Sequence, residues 1–226
     1  MVSFSKFFRS SVGKKYVMGF TGLLMILFLI EHLSGNLLLF SKDPAPFNKY
    51  SDFLMSFGDI LVIVELIFLA FLLFHVFSGI TVALGKLKAR PHGYAKTASA
   101  GAPSKKSFSS VTMIWTGLLT FVFIAIHLKT FKYGPHYTTM VNGVEMRDLH
   151  KLVIEVFQNP IYVIWYVGAL TFLGFHLRHG FWSAFQSLGF NHPRYMPIIY
   201  TIGIILAIVI AVGFIGIPIW IYFTGA

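Results

Sequence analysis

The sequence contains no cysteine and few charged residues. Without cysteine the chain itself can form no disulfide, no thiolate metal site and no cysteine-ligated iron–sulfur cluster. Only 12% of the 226 residues are charged and 56% are hydrophobic, whereas about a quarter are charged in typical soluble domains. With a mean hydropathy of +0.75, this composition predicts a membrane protein. Any redox centre held by the chain must use ligands other than cysteine.

Five apolar runs are long enough to cross the hydrocarbon core of a bilayer, which takes about 20 helical residues. They predict an all-α integral membrane protein with a single membrane domain over residues 1–226. The predicted spans are about 16–40, 60–85, 111–131, 160–186 and 197–223.

Two connecting segments have compositions of their own. The segment 86–108 is rich in Gly, Pro, Ala, Ser and Lys, which predicts a linker rather than a domain. In the segment 133–158, apolar residues such as Met146, Leu149 and Val153 recur at helical spacing with charges between them. This pattern predicts an amphipathic helix at the membrane surface.

The positive charge is distributed unevenly about the predicted spans. The formal net charge is +10, and the N-terminal segment, the linker and the loop after the fourth span carry basic residues without acidic ones. The positive-inside rule therefore predicts a cytoplasmic N-terminus, an outer C-terminus and a multi-pass protein of the cell inner (cytoplasmic) membrane. Anionic membrane lipid accounts for the basic face, so nucleic acid is not expected as a partner.

Histidines within the predicted spans are the main functional signal, because an ionisable residue in a membrane helix is costly and usually functional. Five of the nine histidines lie there, namely His32, His75, His127, His176 and His179. With a rise of 1.5 Å per residue, His32 and His127 lie about 24 Å from the cytoplasmic ends of their spans. His75 and His176 lie about 22 Å from the outer ends of theirs. We call His32 with His127 the outer pair and His75 with His176 the inner pair, and expect them about 16 Å apart in depth.

Each pair has the composition of a b-type haem site. Haem iron can take one imidazole nitrogen on each side, and the flat apolar ring fits between helices of a bundle. The sequence thus predicts a four-helix core with two b haems that carry electrons, and a fifth span packed alongside. Gly79 and Gly180, each four residues after an inner-pair histidine, favour close helix approach. Two alternatives remain: hydrogen-bonded packing of each histidine, or a proton relay or ion transporter that also uses Glu31 and Glu65.

Four stretches of the chain resemble, in order and spacing, one known family. They are EHLSGNLLLF, LLFHVFSGI, FIAIHLKTFKYG and GFHLRHGFWSAFQSLG. Together they are similar to the five-helix, two-haem cytochrome b subunit of succinate dehydrogenase and fumarate reductase, the succinate:quinone oxidoreductases or respiratory complex II. The resemblance covers nearly the whole chain, and its specificity lies in four histidines on four successive helices.

The resemblance implies a membrane anchor that exchanges electrons with quinone, commonly menaquinone. A flavoprotein subunit, which carries the succinate chemistry of the tricarboxylic acid cycle, and an iron–sulfur subunit would dock on its cytoplasmic face. The runner-up is a two-haem anchor of a hydrogenase or formate dehydrogenase. The family phrase F-H-x-x-x-G-x-W selects His176 over His179 as the fourth ligand. Some fumarate reductases of the family carry a proton-transferring glutamate two positions before that ligand, where this chain has Gly174.

Further candidates follow from position. His179, Arg178, Lys86 and Lys129 are candidate partners of haem propionates. Glu31 and Glu65 are candidate proton donors or acceptors for a quinone, or else hydrogen-bonded packing residues.

Overall fold

Five long helices dominate the structure, a computed structural model that describes residues 4–89 and 107–225. Of the described residues, 82% are helical. The long elements are α2 (Ser11–Asn36), α4 (Asp59–Ala89), α6 (Met113–His127), α8 (Pro160–Ser187) and α9 (Met196–Thr224). A 3₁₀ turn, Leu37–Phe40, extends α2, and a π turn, Leu128–Lys132, extends α6. All five are long and apolar enough to cross a membrane, so the five predicted spans are confirmed as helices and the chain has the character of a multi-pass membrane protein.

The ends of these helices follow from local capping. The Ser10 side chain accepts a hydrogen bond from the Gly13 amide at 3.0 Å and so starts α2 five residues before the predicted position. Asn159 caps α8 in the same way, followed by Pro160 in the first turn, where proline is favoured. Helix α4 continues through Ala89, so the predicted linker 86–108 is wrong at its start, because residues 86–89 are helical. Residues 90–106 of that linker lie outside the described residues.

Short elements connect the long helices. They are α1 (Phe4–Arg9), α3 (Ala45–Met55), α5 (Phe108–Val111) and α7 (Leu149–Phe157). A hairpin of β1 (Thr138–Val141) and β2 (Val144–Arg147) precedes α7, with Val141 paired to Val144.

The hairpin corrects the prediction of one amphipathic helix over 133–158. Asn142 and Gly143 form its two-residue turn with φ of 53° and 80°. Positive φ at both positions is the backbone of a type I′ turn, for which Asn-Gly is the strongest local signal. Only Leu149–Phe157 is helical, and its buried side chains include Leu152, Val153 and Phe157. The helical spacing of apolar residues therefore predicted a helix correctly only in the second half of the segment.

Helix α8 lies at the centre of the bundle and packs against α2, α6 and α9, whereas α4 packs mainly on α2 and also contacts α6. Close contacts between helices rely on glycine: a Cβ on Gly213 of α9 would lie 2.9 Å from Leu33 of α2. In α4 only Ser78 is buried, and many of its apolar side chains are exposed, as expected for a helix that borders lipid. The fifth span, α9, has no histidine and packs alongside α8, as predicted.

A polar cluster closes the end of the bundle that carries the outer pair. Asn48 of α3 is fully buried. Its side-chain amide donates to Asp148 at 2.8 Å, and its oxygen accepts from the His150 amide at 2.9 Å. Asn48 therefore joins α3 to the start of α7 through two hydrogen bonds, of which the one from the His150 amide is buried.

Replacing Asn48 with Ala is expected to destabilise this end by about 2 kcal/mol, because it leaves the buried His150 amide without its acceptor and removes the bond to Asp148. The measurement is the denaturation of the detergent-solubilised protein, followed by helical circular dichroism. Asn191→Ala, at an exposed position, is the control and should change the unfolding free energy by less than about 0.5 kcal/mol. Equal effects of the two substitutions would contradict the role assigned to Asn48.

Candidate functional site

The four histidines predicted to pair by depth do meet in two pairs. The ring centroids of His32 on α2 and His127 on α6 are 5.8 Å apart. Those of His75 on α4 and His176 on α8 are 6.2 Å apart. Each helix of the four thus contributes one histidine to one of two layers, at opposite ends of the bundle.

The surroundings of His75 fix which of its nitrogens carries the proton. Its Nδ1 lies 3.0 Å from the backbone carbonyl of Met18. A carbonyl can only accept, so Nδ1 donates and the lone pair is on Nε2. The Thr21 hydroxyl, 3.4 Å from the same Nδ1, already donates to the Val17 carbonyl at 2.7 Å. A neutral imidazole with a free Nε2 lone pair is the form that binds a metal.

His176 has an equivalent environment on the opposite side of the inner pair. Its Nδ1 lies 3.2 Å from the Thr116 hydroxyl. That hydroxyl lies 3.1 Å from each of the Thr112 and Met113 carbonyls, to which it donates, so it accepts from the histidine. Nδ1 of His176 is therefore protonated and its Nε2 lone pair is free, as in His75.

An internal repeat, which was not among the predictions from the sequence, underlies this symmetry. The pattern M-x-x-T-G followed ten residues later by histidine occurs at 18–32 and again at 113–127. The pattern F-H-x-x-x-G occurs at 74–79 and again at 175–180. The first pair of helices and the second pair therefore repeat one arrangement, in which a Thr-Gly step of one helix receives the histidine of the next.

The glycines of the Thr-Gly steps provide the space for the inner rings. A Cβ on Gly22 would lie 3.1 Å from Cε1 of His75, and a Cβ on Gly117 would lie 3.1 Å from Cε1 of His176. Both distances are tighter than an ordinary van der Waals contact, so any larger side chain would push the ring. Beside Gly180, one turn after His176, a Cβ would meet nothing within 4 Å. The inner rings are thus held on their Nδ1 side, with open space next to the helix that carries His176.

The outer pair is held by different side chains. Nδ1 of His127 lies 3.1 Å from the hydroxyl of Tyr166, which is 4% exposed. Nδ1 of His32 lies 3.4 Å from the Asn36 amide, and Phe28 stacks on the His32 ring at 5.3 Å. Neither Tyr166 nor Asn36 was predicted from the sequence. The nearest partner of His32 Nδ1 is the NH₂ group of Asn36, which is a hydrogen-bond donor. The fold therefore does not require a proton on Nδ1 of His32, as it does for the two histidines of the inner pair.

The spacing of both pairs fits a haem. An iron–nitrogen bond of about 2 Å on each side, and about 1 Å more to each ring centre, places the two centroids about 6 Å apart. The observed 5.8 and 6.2 Å match this spacing. Within residues 4–89 and 107–225, no group of three or more His, Asp or Glu is placed to hold a metal ion. A site with two protein ligands suits haem, because the macrocycle itself provides the other four.

The two candidate glutamates have their own partners near the outer pair. Tyr50 of α3 donates a hydrogen bond to Glu31. Burial, together with this bond and the charge of Glu31, raises the pKa of Tyr50 to about 12. Glu65 of α4 forms an ion pair with Lys132 in the π turn after α6. Lys132 was not among the predicted site residues, because only the folded chain places it opposite Glu65.

The four candidate propionate partners lie in different surroundings. Arg178 points its guanidinium at the Ser109 and Tyr200 hydroxyls, at 3.3 and 3.4 Å. His179 contacts the Trp182 ring edge-on, and its buried Nδ1 has no partner among the residues that the structure describes. Lys86 is exposed on α4, and Lys129 lines a surface cavity whose lining includes neither His32 nor His127.

Gly174 lies at a close contact between α8 and α9. A Cβ on this glycine would lie 3.0 Å from Cβ of Ala211. A larger side chain here would require α8 and α9 to move apart by a few tenths of an ångström.

Comparison with known proteins adds no relative. A scan against protein-family models and searches of curated proteins and of solved structures found no match to this chain.

Proposed function

We propose that the chain is the cytochrome b membrane anchor of a succinate:quinone oxidoreductase and carries electrons through two bis-histidine b haems. The observation that carries the proposal is the pair of histidine layers, one histidine from each of four successive membrane helices. The order and spacing of the histidine motifs, which resemble that family, support the choice of enzyme.

In this function His75 and His176 hold the inner haem, and His32 and His127 hold the outer one. When bound, haem supplies a one-electron couple at the iron. The Met18 carbonyl and the Thr116 hydroxyl keep Nδ1 of the inner histidines protonated, which orients each ring and leaves its Nε2 lone pair free. Gly22 and His32 are ten residues apart on α2, which separates the two layers by about 15 Å.

The ends of the bundle have different expected partners. By the positive-inside rule the inner pair is on the cytoplasmic side of the cell inner membrane. A flavoprotein subunit and an iron–sulfur subunit dock there, on the face whose segments carry basic residues and no acidic ones in the sequence. Quinone, for which menaquinone is expected, exchanges electrons with the chain. Glu65, held by Lys132, and Glu31, held by Tyr50, are the candidate proton carriers near the outer haem.

The test is the purified complex and its visible spectrum. We expect a reduced-minus-oxidised spectrum of bis-imidazole haem, about two haems per chain by pyridine haemochrome, and co-purification of a flavoprotein with succinate-dependent reduction of the haems. Haem without a flavoprotein would favour the hydrogenase or formate dehydrogenase anchor. An intact complex without haem would exclude both haem-binding functions. The histidines would then serve in helix packing or in ion transport.

A further inference from the structure

A cavity of about 590 Å³ opens on the outside of the bundle, at the end that carries the outer pair. Its walls come from the last turn of α6 and the π turn that follows, from α7, and from the start of α8. It therefore lies where two membrane-spanning helices meet the segment that connects them. The volume is within the range of about 300–1,000 Å³ that is typical of small-molecule sites.

The lining of the cavity combines one apolar wall with two opposite charges. Ile126, Leu152 and Val156 supply apolar surface, and Lys129 and Glu155 supply the charges. Within the described parts of the chain, no carboxylate lies within 4.0 Å of the Lys129 amine. Lys129 and Glu155 thus line the same cavity without pairing with each other.

The carboxylate of Glu155 is contacted by two side chains of this chain. The interaction of the Tyr137 hydroxyl with this carboxylate raises the pKa of that tyrosine. The Lys151 amine lies 4.0 Å from the same carboxylate and 4.4 Å from the centre of the Tyr137 ring. These contacts restrain the carboxylate at the wall of the cavity, where an ammonium group can approach it.

The surroundings of the cavity fit an amphiphile rather than a soluble zwitterion. Tyr133 and Tyr162 are part of the lining and lie at the ends of two membrane helices, where tyrosine is enriched at the boundary between lipid and water. Ile161 and Ile164, beside Tyr162 in sequence, are each 73% exposed. Val122 of α6 is also exposed and extends this apolar surface along that helix. An acyl chain can follow this apolar surface into the membrane.

From these features we propose that the cavity binds the head group of a zwitterionic phospholipid with a primary ammonium, that is, phosphatidylethanolamine. The phosphate is bound by Lys129, with the Asn159 side chain nearby, and the ammonium by Glu155 and the tyrosine rings. This head group carries one negative and one positive charge close together, and the lining offers one side chain of each opposite sign. A primary ammonium donates hydrogen bonds to a carboxylate, which the trimethylammonium of phosphatidylcholine cannot do. The site does not depend on haem at the histidine pairs.

The experiment measures lipid binding to the full chain with its native partners. The complex is purified in mild detergent, depleted of lipid by exchange, and titrated with phosphatidylethanolamine, phosphatidylglycerol or phosphatidylcholine while native mass spectrometry counts bound lipid. We expect one tightly bound phosphatidylethanolamine per chain and about tenfold weaker binding of the other two lipids. Lys129→Gln and Glu155→Gln should each weaken phosphatidylethanolamine binding about tenfold, and Lys129→Arg should retain it.

Lys49→Gln is the matched control, since Lys49 is an exposed lysine of α3 outside the cavity lining. Helical circular dichroism checks that each variant is folded. The proposal is overturned if no lipid stays bound, if phosphatidylglycerol binds as tightly as phosphatidylethanolamine, if Lys49→Gln weakens binding as much as Lys129→Gln, or if quinone occupies the cavity instead. Loss of the haem spectrum would count against the proposed function and not against this site.

Discussion

Replacing His75 or His176 with alanine is expected to lower the haem content from about two to about one per chain, because either change removes one side of the inner pair. Replacing His32 or His127 should also leave about one haem per chain, and in these variants the inner haem should be the one that remains. The two remaining haems are expected to differ in spectrum and midpoint potential, because Met18 and Thr116 surround the inner pair whereas Asn36 and Tyr166 surround the outer pair. Pyridine haemochrome analysis gives the number of haems, and a redox titration identifies which one remains.

His179→Ala is the matched control for this series. His179 is one turn from His176 on the same helix, but its ring contacts Trp182, whereas the ring of His176 faces His75. The variant should keep both haems. Loss of the same haem in His75→Ala and His127→Ala would contradict the pairing, and retention of both haems in His176→Ala with loss of one in His179→Ala would move the fourth ligand to His179.

The spans and the histidine layers could be predicted from the sequence because they depend on quantities that the sequence contains directly. The length of an apolar run shows whether a helix can cross the bilayer. The number of residues from the start of a span to a histidine gives its depth, through the constant rise of a helix. Depth alone was enough to pair His32 with His127 and His75 with His176.

The hydrogen bonds that orient the rings could not be predicted in this way. They depend on how each helix is rotated and how closely its neighbour approaches, as when the Met18 carbonyl reaches Nδ1 of His75. The same is true of the ion pair between Glu65 and Lys132, which joins two helices that are distant in sequence. A backbone carbonyl has no signature in the sequence, so the Thr-Gly repeat was the only signal that could have pointed to this contact.

The hairpin was missed for a different reason. Apolar residues at helical spacing favoured a helix over 133–158, whereas Asn142 and Gly143 carry a strong local preference for a tight turn. The turn residues decide the structure of the first half, because short strands beside them need little apolar periodicity. A local signal of two residues thus outweighed a periodic one.

The repeat in the chain gives the second strong expectation, which concerns the glycines that face the inner histidines. Gly117→Leu is expected to remove the inner haem although it changes no ligand. A Cβ added at this position would lie 3.1 Å from Cε1 of His176, and the rest of a leucine side chain cannot fit without displacing the ring. Once the ring moves, its Nδ1 bond to Thr116 breaks and the ring loses its place in the inner pair. Gly22→Leu should act in the same way on His75.

The effect should be graded and local. Gly117→Ala adds only the Cβ, so the ring needs to shift by a few tenths of an ångström, and we expect a change in the midpoint potential of the inner haem with little loss of haem. Gly85→Leu is the control, because a Cβ on Gly85 of α4 meets nothing within 4 Å, and this variant should keep both haems. The outer haem, about 15 Å away along α6, reports whether the bundle is folded in each variant. If Gly117→Leu binds two haems with unchanged potentials, the inner rings are not held against these glycines and the geometry of the inner pair is wrong.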